Sequence, residues 1–468
     1  MSLNELKRRS IVELAALISS KDVSPVEVVN AHLAQIDRLN GQLNAIVTLA
    51  PNLFEQAREA ESLLVSGQTL GPLHGVPITI KDTIATAGIR TTSGSLARKD
   101  YVPTRDATAV ARLKAAGAII IGKSNTPEMA IPYETSNEIF GRTNNPYDQR
   151  LTPGGSSGGE AAAIAACLSP GGVGSDLSGS IRVPAHFCGI VGLKPTSGRI
   201  PMDGHVPAAK GVLASGACIG PMARTVADVS LLFAVLADID SQPSLFKDQV
   251  RGLKVSWYES DGVSPVSLET RLAVRAAVEA LQRAGLDCQE KRPAAVESGS
   301  RLWVELFAEA SANDLREFYS GFEHLAGALA GKILNTDTRR NQRRQHELEQ
   351  VINERDRLRA ELLTMMETRP LIIAPVGATA AFPHDTKTLV VEDESVSVFR
   401  ACSYAQTFNV FDLPSVVVRA GQTAEGLPLG VQIIGKPFGE HMILSVATIV
   451  EAALGGWQPP FNAAADPL

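Results

Sequence analysis

The hydrophobic residues of the chain recur with two periods, and each period predicts one type of element. Apolar positions that repeat every three or four residues indicate amphipathic helices, whereas short apolar runs between turn residues indicate buried strands. Helices are predicted within 10–64 and at 107–116, 160–167, 225–238, 268–284, 300–367, 396–409 and 441–453. Strands are predicted within 73–82 and at 118–121, 188–193, 253–258, 371–375, 413–418 and 430–434. This alternation favours an α/β fold in which helices cover a largely buried sheet.

Three segments lack such a period and are predicted as connections. Residues 125–155 are rich in asparagine, proline, threonine and glycine, residues 171–184 are rich in glycine and serine, and residues 240–252 form a surface connection. Long loops without periodicity are usually functional, so the first two are the places to look for chemistry.

Composition and charge narrow the class of protein. The 468 residues are 44% hydrophobic and 20% charged, which suits a globular protein with a large core. The net charge of -6 argues against a nucleic-acid partner. One basic cluster is followed closely by glutamates and is therefore predicted to be a solvated helix face; it consists of Arg339, Arg340, Arg343 and Arg344.

Cysteine and histidine positions predict neither disulfides nor a metal site. The 5 cysteines are odd in number and scattered, which suggests a reducing compartment and hence the cytoplasm. The 8 histidines lack the spacing of metal ligands. No apolar stretch approaches the roughly 20 residues that cross a bilayer, so no membrane association is expected.

Two familiar motifs match the sequence, but the local structure predicted for each stretch is not the one that the motif requires. The stretch 117–124 (GAIIIGKS) fits the P-loop pattern, yet its three isoleucines predict an extended buried strand rather than a phosphate-binding turn. The stretch 155–159 (GSSGG) fits the GxSxG elbow with Ser157 at its centre. That elbow requires an apolar strand directly before it, and the preceding residues do not form one.

A third combination, Lys81 with Ser156 and Ser180, fits amide hydrolysis. A hydroxyl that attacks an amide must pass its proton to a nearby base, and the leaving amine must then receive a proton. Glycine-rich loops around both serines allow backbone amides to converge on an oxyanion. Each residue alone is better explained by an ordinary structural role, since serines in glycine-rich loops usually form turns.

Lys81 can act as a base only when it is neutral. The ordinary pKa of lysine is about 10.4, and burial lowers it by up to several units. Val76, Ile78 and Ile80 precede Lys81 and are expected to supply an apolar setting. Asp82 would oppose this effect, but strand alternation predicts that it points to the opposite face.

Longer motifs make the chain resemble the amidase signature family from about residue 10 to 453. The resemblance is carried by 153–160 (PGGSSGGE), 174–184 (GSDLSGSIRVP) and 187–196 (FCGIVGLKPT), with further matches at 75–82, 122–128, 220–228 and 426–435. It is weak only between about 240 and 370. The resemblance implies a single large α/β/α domain, 1–468, around a mixed, mainly parallel sheet. It also implies that 240–370 is a variable, mainly helical lobe that shapes the substrate entrance.

The resemblance assigns catalytic roles position by position. Ser180 matches the nucleophile, Ser156 matches the bridging serine, and Lys81 matches the terminal base. The bridging serine of the family follows a cis peptide bond, which here is Gly155–Ser156. No metal or organic cofactor is implied.

The remaining site residues also follow from the resemblance. Substrate is expected to meet the backbone at Ala130, the side chain of Ser156 and a row of backbone amides that would bind the oxyanion, those of Leu177, Ser178, Gly179 and Ser180. Asp176 and Arg182 match an ion pair that braces the loop, and Ser157 is expected to support it. Ser178 departs from the family, which usually has glycine there; its hydroxyl would narrow the acyl pocket or add a donor, and a positive φ would strain it.

These observations predict an amidase that cleaves a small-molecule carboxylic amide through an acyl-serine and releases ammonia or an amine. Two alternatives stay open: the A-type subunit of a tRNA-dependent amidotransferase, and a catalytically silent binding scaffold. A homodimer is possible, and the identity of the amide is not predicted.

Overall fold

One continuous β-sheet runs through the part of the chain that the structure describes. The structure is a computed structural model, and it describes residues 2–240, 250–335 and 345–460. Within them the strands are, in chain order, β1 (Ile46–Leu49), β2 (Pro77–Lys81), β3 (Ile119–Ser124), β4 (Ser136–Asn137), β5 (Gly141–Arg142), β6 (Gly171–Asp176), β7 (Val191–Lys194), β8 (Cys218–Ala223), β9 (Lys254–Trp257), β10 (Asp287–Glu290), β11 (Leu371–Pro375), β12 (Thr388–Val391), β13 (Glu394–Ser397), β14 (Ser415–Gln422) and β15 (Pro428–Ile434). The large sheet has the order β1-β3-β2-β6-β8-β7-β14-β15-β11-β9-β10, while β4 with β5 and β12 with β13 form small separate pairs.

The large sheet is mixed, with its parallel pairs in two wings. Strands β3, β2 and β6 pair parallel in one wing, and β11, β9 and β10 pair parallel in the other. The central strands from β6 through β8, β7, β14, β15 and β11 pair antiparallel, as does β1 with β3 at one edge. The predicted α/β domain around a mixed sheet is confirmed; the mainly parallel pairing describes the wings and not the centre.

Helices cover both faces of this sheet. In chain order they are α1 (Leu3–Leu6), α2 (Ile11–Ser19), α3 (Pro25–Leu43), α4 (Leu53–Val65), α5 (Thr108–Ala115), α6 (Gly158–Ala165), α7 (Arg182–Cys188), α8 (Val226–Ala237), α9 (Leu268–Arg283), α10 (Gly299–Trp303), α11 (Glu309–Tyr319), α12 (Ala328–Leu334), α13 (Gln345–Thr368), α14 (Val398–Ala401), α15 (Ser403–Val410) and α16 (Glu440–Leu454). A π-helical turn, Val304–Ala308, joins α10 to α11.

Strand alternation divides the core into two layers. Ile373 belongs to the hydrophobic cluster that contains Val274 of α9 and Ile443 of α16. Its neighbour Ile372 belongs to a second cluster, with Phe408 of α15. Because successive residues of a strand face opposite sides, one strand serves both layers. The predicted α/β/α architecture follows from this alternation.

The glycine-rich segment predicted as a loop is instead a strand followed by a helix. Residues 171–176 form β6, and Arg182–Cys188 form α7, so the strand predicted at 188–193 begins only at Val191. A Cβ atom at Gly172 would collide with the Glu160 carboxylate, and one at Gly174 would lie 2.8 Å from Ser157 Oγ. Glycine is needed because the start of α6 packs directly on β6, which hides the strand from propensity-based prediction.

The described part of residues 240–370 contains two strands as well as helices. Residues 254–290 build β9, α9 and β10 at an edge of the main sheet, and the largely helical stretch begins at Gly299. The helix predicted at 396–409 is divided into β13, α14 and α15. The arginine cluster 339–344 and most of the 240–252 connection lie outside the described residues. Among the helices that are described, none is long and apolar enough to cross a bilayer.

Candidate active site

Two parallel strands bring the predicted site residues to one edge of the sheet. Lys81 is the last residue of β2, and Ser175 and Asp176 end the neighbouring strand β6. The carboxyl ends of parallel strands meet at the same edge, which is where α/β proteins usually bind ligands. The loop before α6 and the loop between β6 and α7 lie at this edge and carry Ser156 and Ser180.

Lys81 and Ser156 are in direct contact. Lys81 Nζ lies 2.7 Å from Ser156 Oγ, and the two residues are 0% and 1% exposed. The peptide bond between Gly155 and Ser156 is cis, as predicted. The Ser156 carbonyl accepts a hydrogen bond from Thr126 Oγ1 at 3.0 Å, which fixes the loop against the end of β3.

Ser180 shares a cavity with Ser156, whereas Ser157 does not line it. Ser156 and Ser180 both line the same pocket, and the Ser157 amide donates to the Ser180 carbonyl at 3.1 Å. The Ser157 hydroxyl donates to the Ser175 carbonyl at 3.3 Å and accepts from the Ser175 amide at 3.4 Å. Its side chain is therefore bonded to the backbone at the end of strand β6, which disfavours the GxSxG elbow.

Burial gives Lys81 the character of a base. Complete burial lowers the pKa of Lys81 to about 7, while the negative charges of Asp176 and Glu160 oppose the shift. The burial comes from polar as well as apolar groups, because a second hydroxyl, Ser175 Oγ, lies 2.9 Å from Nζ. Asp82 is engaged elsewhere: its carboxylate accepts from the Thr92 amide at 3.1 Å.

A buried ion pair holds the loop from β6 to α7. Arg182 Nη2 lies 3.0 Å from Asp176 Oδ1, and both side chains are fully buried. Asp176 also accepts from the Ile181 amide at 3.0 Å and from Asn409 Nδ2 at 2.9 Å. Burial alone would raise the pKa of Asp176, but the charge and hydrogen bond of Arg182, together with the hydrogen bond from Asn409, outweigh it and hold that pKa well below its ordinary value.

The Asp176 carboxylate also accepts a hydrogen bond from one of the four backbone amides that were predicted to bind the oxyanion. The Gly179 amide donates to Asp176 Oδ1 at 2.8 Å, so it points towards the ion pair of Asp176 and Arg182. Gly179 adopts φ +97°, and a Cβ there would press on Ala405, which explains the requirement for glycine. Leu177, Ser178 and Ser180 line the cavity.

The hydroxyl and the carbonyl of Ser178 both contact Tyr133. Tyr133 Oη donates to the Ser178 carbonyl at 2.6 Å, which uses its only proton, and lies 2.5 Å from Ser178 Oγ. The Ser178 hydroxyl therefore donates to Tyr133, whose oxygen also accepts from Gln406 Nε2 at 2.9 Å. Ser178 is not among the residues with positive φ, so the condition under which it would be strained is not met.

The cavity that contains both serines is largely apolar and has a volume of about 610 Å³. Ala130 lines it in a left-handed conformation, φ +59°. Larger apolar and aromatic side chains form most of the wall; they include Met129, Ile131, Tyr133, Leu177, Leu213, Trp303, Leu315, Phe382 and Phe399. None of the described residues that line it is a lysine or an arginine.

Three residues of this site escaped sequence analysis. Ser175 stands inside the 174–184 motif, directly before Asp176, but the strand that it helps to end was predicted as a loop. His205, whose Nε2 lies 2.9 Å from Ser175 Oγ, is an isolated histidine without a pattern. Trp303 Nε1 donates to the Leu177 carbonyl at 2.8 Å from a helix far along the chain. Groups of acidic, histidine or cysteine side chains arranged to hold a metal are absent from the described residues.

Comparison with known proteins agrees with this geometry. The family model described as Amidase matches residues 27–444. The A-type subunit of the glutamyl-tRNA(Gln) amidotransferase of Roseiflexus sp. (strain RS-1) is 34% identical over 91% of this chain and 92% of its own length. An acylamidase of Rhodococcus erythropolis is 32% identical over 97% of both chains.

Solved structures extend the likeness to three dimensions. The crystal structure of a bacterial aryl acylamidase of the amidase signature enzymes superposes with a TM-score of 0.84 and 25% identity, covering 98% of this chain and 99% of that one. The matched region contains both serine loops and the lysine strand. The chain therefore belongs to the amidase family, whose enzymes act on the carbon–nitrogen bonds of amides.

Proposed function

We propose that this chain is an amide hydrolase that cleaves a small-molecule carboxylic amide through an acyl-serine intermediate and releases ammonia or an amine. The observation that carries the proposal is the contact between the buried Lys81 amine and the Ser156 hydroxyl, at 2.7 Å, beside a cavity that also contains Ser180. A pKa of about 7 leaves a large fraction of Lys81 neutral at physiological pH, as a base requires.

In the first half of the reaction Ser180 Oγ attacks the amide carbonyl carbon. The proton of Ser180 passes to Ser156, and the proton of Ser156 passes to neutral Lys81. The carbonyl oxygen gains negative charge as the tetrahedral intermediate forms, and backbone amides of Leu177, Ser178 and Ser180 are the candidate donors that stabilise it.

In the second half the relay runs in reverse. Lys81 returns its proton through Ser156 to the leaving nitrogen, because an amine leaves readily only when protonated. The carbon–nitrogen bond breaks and the acyl group remains on Ser180. Water then attacks this ester and gives its proton to the same relay. As the bond between the acyl carbon and Ser180 Oγ breaks, the relay returns this proton to Ser180 Oγ, which releases the carboxylic acid and regenerates the free enzyme. Apart from the substrate and this water, the proposed steps use only groups of the chain.

The cavity wall supports an apolar acyl or amine portion in the substrate. Aromatic side chains of Trp303 and Phe399 pack edge to face in the wall, with ring centroids 5.3 Å apart. The charged side chains in the described wall are the carboxylates of Glu134, Asp176 and Asp314. None of the described lining residues is a lysine or an arginine that would hold a substrate carboxylate. A neutral amide with a hydrophobic side fits this surface better than an amino acid amide such as glutamine.

A second candidate function is that of the A-type component of a tRNA-dependent amidotransferase. The names of several relatives, including the one from Roseiflexus, favour it. Such a chain would release ammonia from an amide donor for use by a partner. Copurification of a second protein, together with glutamine-dependent ammonia release, would support this candidate over the hydrolase.

The catalytic assignment is tested with a serine-directed fluorophosphonate. Ser180→Ala should abolish both labelling and turnover, whereas Ser157→Ala, the adjacent serine outside the cavity wall, should keep labelling at Ser180. Labelling that persists in Ser180→Ala and disappears in Ser157→Ala would overturn the assignment. Thermal midpoints of both variants confirm that they are folded.

The reaction class is tested by measuring ammonia or amine release from the chain alone. Aliphatic, aromatic and ureido amides are compared with glutamine at equal concentration. Turnover of apolar amides with little glutaminase activity is the expected result. Absence of release and of probe labelling would indicate a catalytically silent scaffold instead.

The remaining expectations belong with this proposal. Free cysteines at all five positions fit the reducing cytoplasm that the sequence suggests. Residues 299–335, whose helices contribute Trp303, Leu315 and Ile333 to the cavity wall, are the candidate for the lobe that shapes the entrance. A homodimer stays a prediction, to be checked by light scattering.

A further inference from the structure

A buried histidine, His205, extends a chain of hydrogen bonds that begins at Ser156. His205 Nε2 lies 2.9 Å from Ser175 Oγ, and Ser175 Oγ lies 2.9 Å from Lys81 Nζ. Lys81 in turn contacts Ser156. The order Ser156, Lys81, Ser175, His205 is therefore a continuous line of polar atoms, and the proposed relay uses only its first half.

The protonation of His205 follows from its other nitrogen. Nδ1 lies 2.7 Å from the carbonyl oxygen of Pro207, and a carbonyl oxygen can only accept. Nδ1 therefore carries a proton. Burial, followed by the charge of Lys81, lowers the pKa of His205 to about 4, so at neutral pH the ring is neutral and Nε2 is an acceptor.

The state of His205 decides how Ser175 bonds to the amine. A serine hydroxyl has one proton, and Nε2 of His205 can only accept it. Ser175 has then no proton left for Lys81 and must accept one of the amine's N–H bonds. A neutral amine has two N–H bonds and one lone pair, so the lone pair stays available to Ser156. We propose that His205 is a positioning residue which, through Ser175, directs the lone pair of Lys81 towards the Ser156 hydroxyl.

The backbone ties His205 to the strand that carries the base. His205 pairs with Ile84, three residues beyond Lys81, and the Val206 amide donates to the Thr83 carbonyl at 2.8 Å. The imidazole is 8% exposed and lines the cavity. The distance from His205 to Lys81 is thus fixed by the segment that directly follows β2.

The bonding pattern suits both protonation states of the relay. When Lys81 takes the Ser156 proton, it still donates to Ser175, and Ser175 still donates to His205. No hydroxyl has to rotate on that side during the cycle. The other charged groups that face Lys81 are Asp176, at the end of β6, and Glu160, on α6, and both variants below leave them in place.

The test compares two substitutions of His205 in the full-length chain. His205→Gln places a side-chain oxygen near the position of Nε2, where it can accept from Ser175. His205→Asn reaches only to the position of Nδ1 and keeps the contact to Pro207. The maximal rate of fluorophosphonate labelling at Ser180 should fall about 10- to 100-fold in His205→Asn, with a half-saturating probe concentration close to wild type. It should stay within about threefold of wild type in His205→Gln.

A second comparison separates positioning from general support. In Ser175→Ala no hydroxyl competes for the lone pair, so adding His205→Asn should change the labelling rate less than twofold. Residues that act through one contact are non-additive in this way. Equal losses in both backgrounds, or equal rates for His205→Asn and wild type, would overturn the proposal.

This inference rests on the proposed function, and the two fail differently. If Lys81→Ala labels at the wild-type rate, the relay itself is absent. If Lys81→Ala abolishes labelling while His205→Asn remains fast, the relay stands and only the role of His205 is wrong. Should His205→Asn not fold, His205→Ala, which also lacks an acceptor at the position of Nε2, carries the same test in the wild-type and Ser175→Ala backgrounds.

Discussion

Lys81 shows how a single residue is changed by its surroundings. The side chain is fully buried, and the transfer of an ammonium ion out of water favours its neutral form. Asp176 and Glu160 act in the opposite sense and keep the pKa near 7 instead of allowing it to fall further. The site thus has a base that is titratable in the physiological range.

The first prediction concerns pH. Because only neutral Lys81 accepts a proton, and the neutral fraction grows as pH rises through its pKa, kcat/KM should rise from pH 6 and level off above about pH 8. The measurement is amine release, or probe labelling, from pH 5.5 to 9. A rate that falls over this range would contradict a lysine base.

The second prediction replaces the base itself. Lys81→Ala should lower kcat by roughly 100- to 10,000-fold, the range attributed to general-base catalysis. Lys81→Arg is the matched control for charge, since a guanidinium does not lose its proton in proteins. Both variants are expected to lose kcat to this extent, and near-normal activity in Lys81→Arg would indicate that the positive charge, and not the base, is required.

At the scale of elements, the loop between β6 and α7 depends on one buried carboxylate. Asp176 accepts from backbone amides of the loop and pairs with Arg182, the first residue of α7. The strand end, the loop and the helix start are therefore fixed by a single group. Ser180 lies between its contacts, so the position of the proposed nucleophile is coupled to this brace.

The third prediction is a stability difference between two ion pairs. Removing one partner of a buried pair leaves an uncompensated charge, so Arg182→Met should lower the free energy of unfolding by about 3–5 kcal/mol. Lys210 and Glu317 form an exposed pair, with side chains 62% and 69% accessible. Lys210→Met should therefore cost less than about 1 kcal/mol. Urea denaturation measures both, and equal losses would contradict the brace.

Sequence patterns predicted these elements unevenly, and packing explains why. Apolar runs such as 371–375 coincide with their strands, because a strand that is buried on both faces consists almost entirely of apolar residues. Strand β6 was missed since its glycines are required by the close approach of α6. The base and both serines were found through motifs, whereas His205 has no local signal: its partners, Ser175 and Pro207, are brought to it by the fold.

At the scale of the whole molecule, the cavity joins two distant parts of the chain. One wall comes from the sheet edge and its loops, including Tyr133 and Leu177, and the other comes from helices after residue 299. Trp303 connects them, since its indole donates to the Leu177 carbonyl at 2.8 Å and packs against Phe399. The resemblance to the family was weakest in this helical region. The sequence therefore did not predict which amide the cavity accepts.

The fourth prediction uses this division of labour between the two walls. Trp303→Ala removes a large ring from the cavity, and pocket volume discriminates between substrates by roughly 1–3 kcal/mol per group. The ratio of kcat/KM for a bulky amide to that for a small one should therefore rise about tenfold or more. Val304→Ala, the next residue and 46% exposed, should leave the ratio unchanged.

The ratio, rather than the rate, is the informative quantity in this experiment. Loss of the indole also removes the hydrogen bond to Leu177, and a disturbed loop would slow all amides alike. A larger cavity instead helps bulky amides and weakens the hold on small ones. A uniform loss with an unchanged ratio would mean that Trp303 only supports the loop. A changed ratio would mean that the helical wall selects the substrate while the sheet edge performs the chemistry.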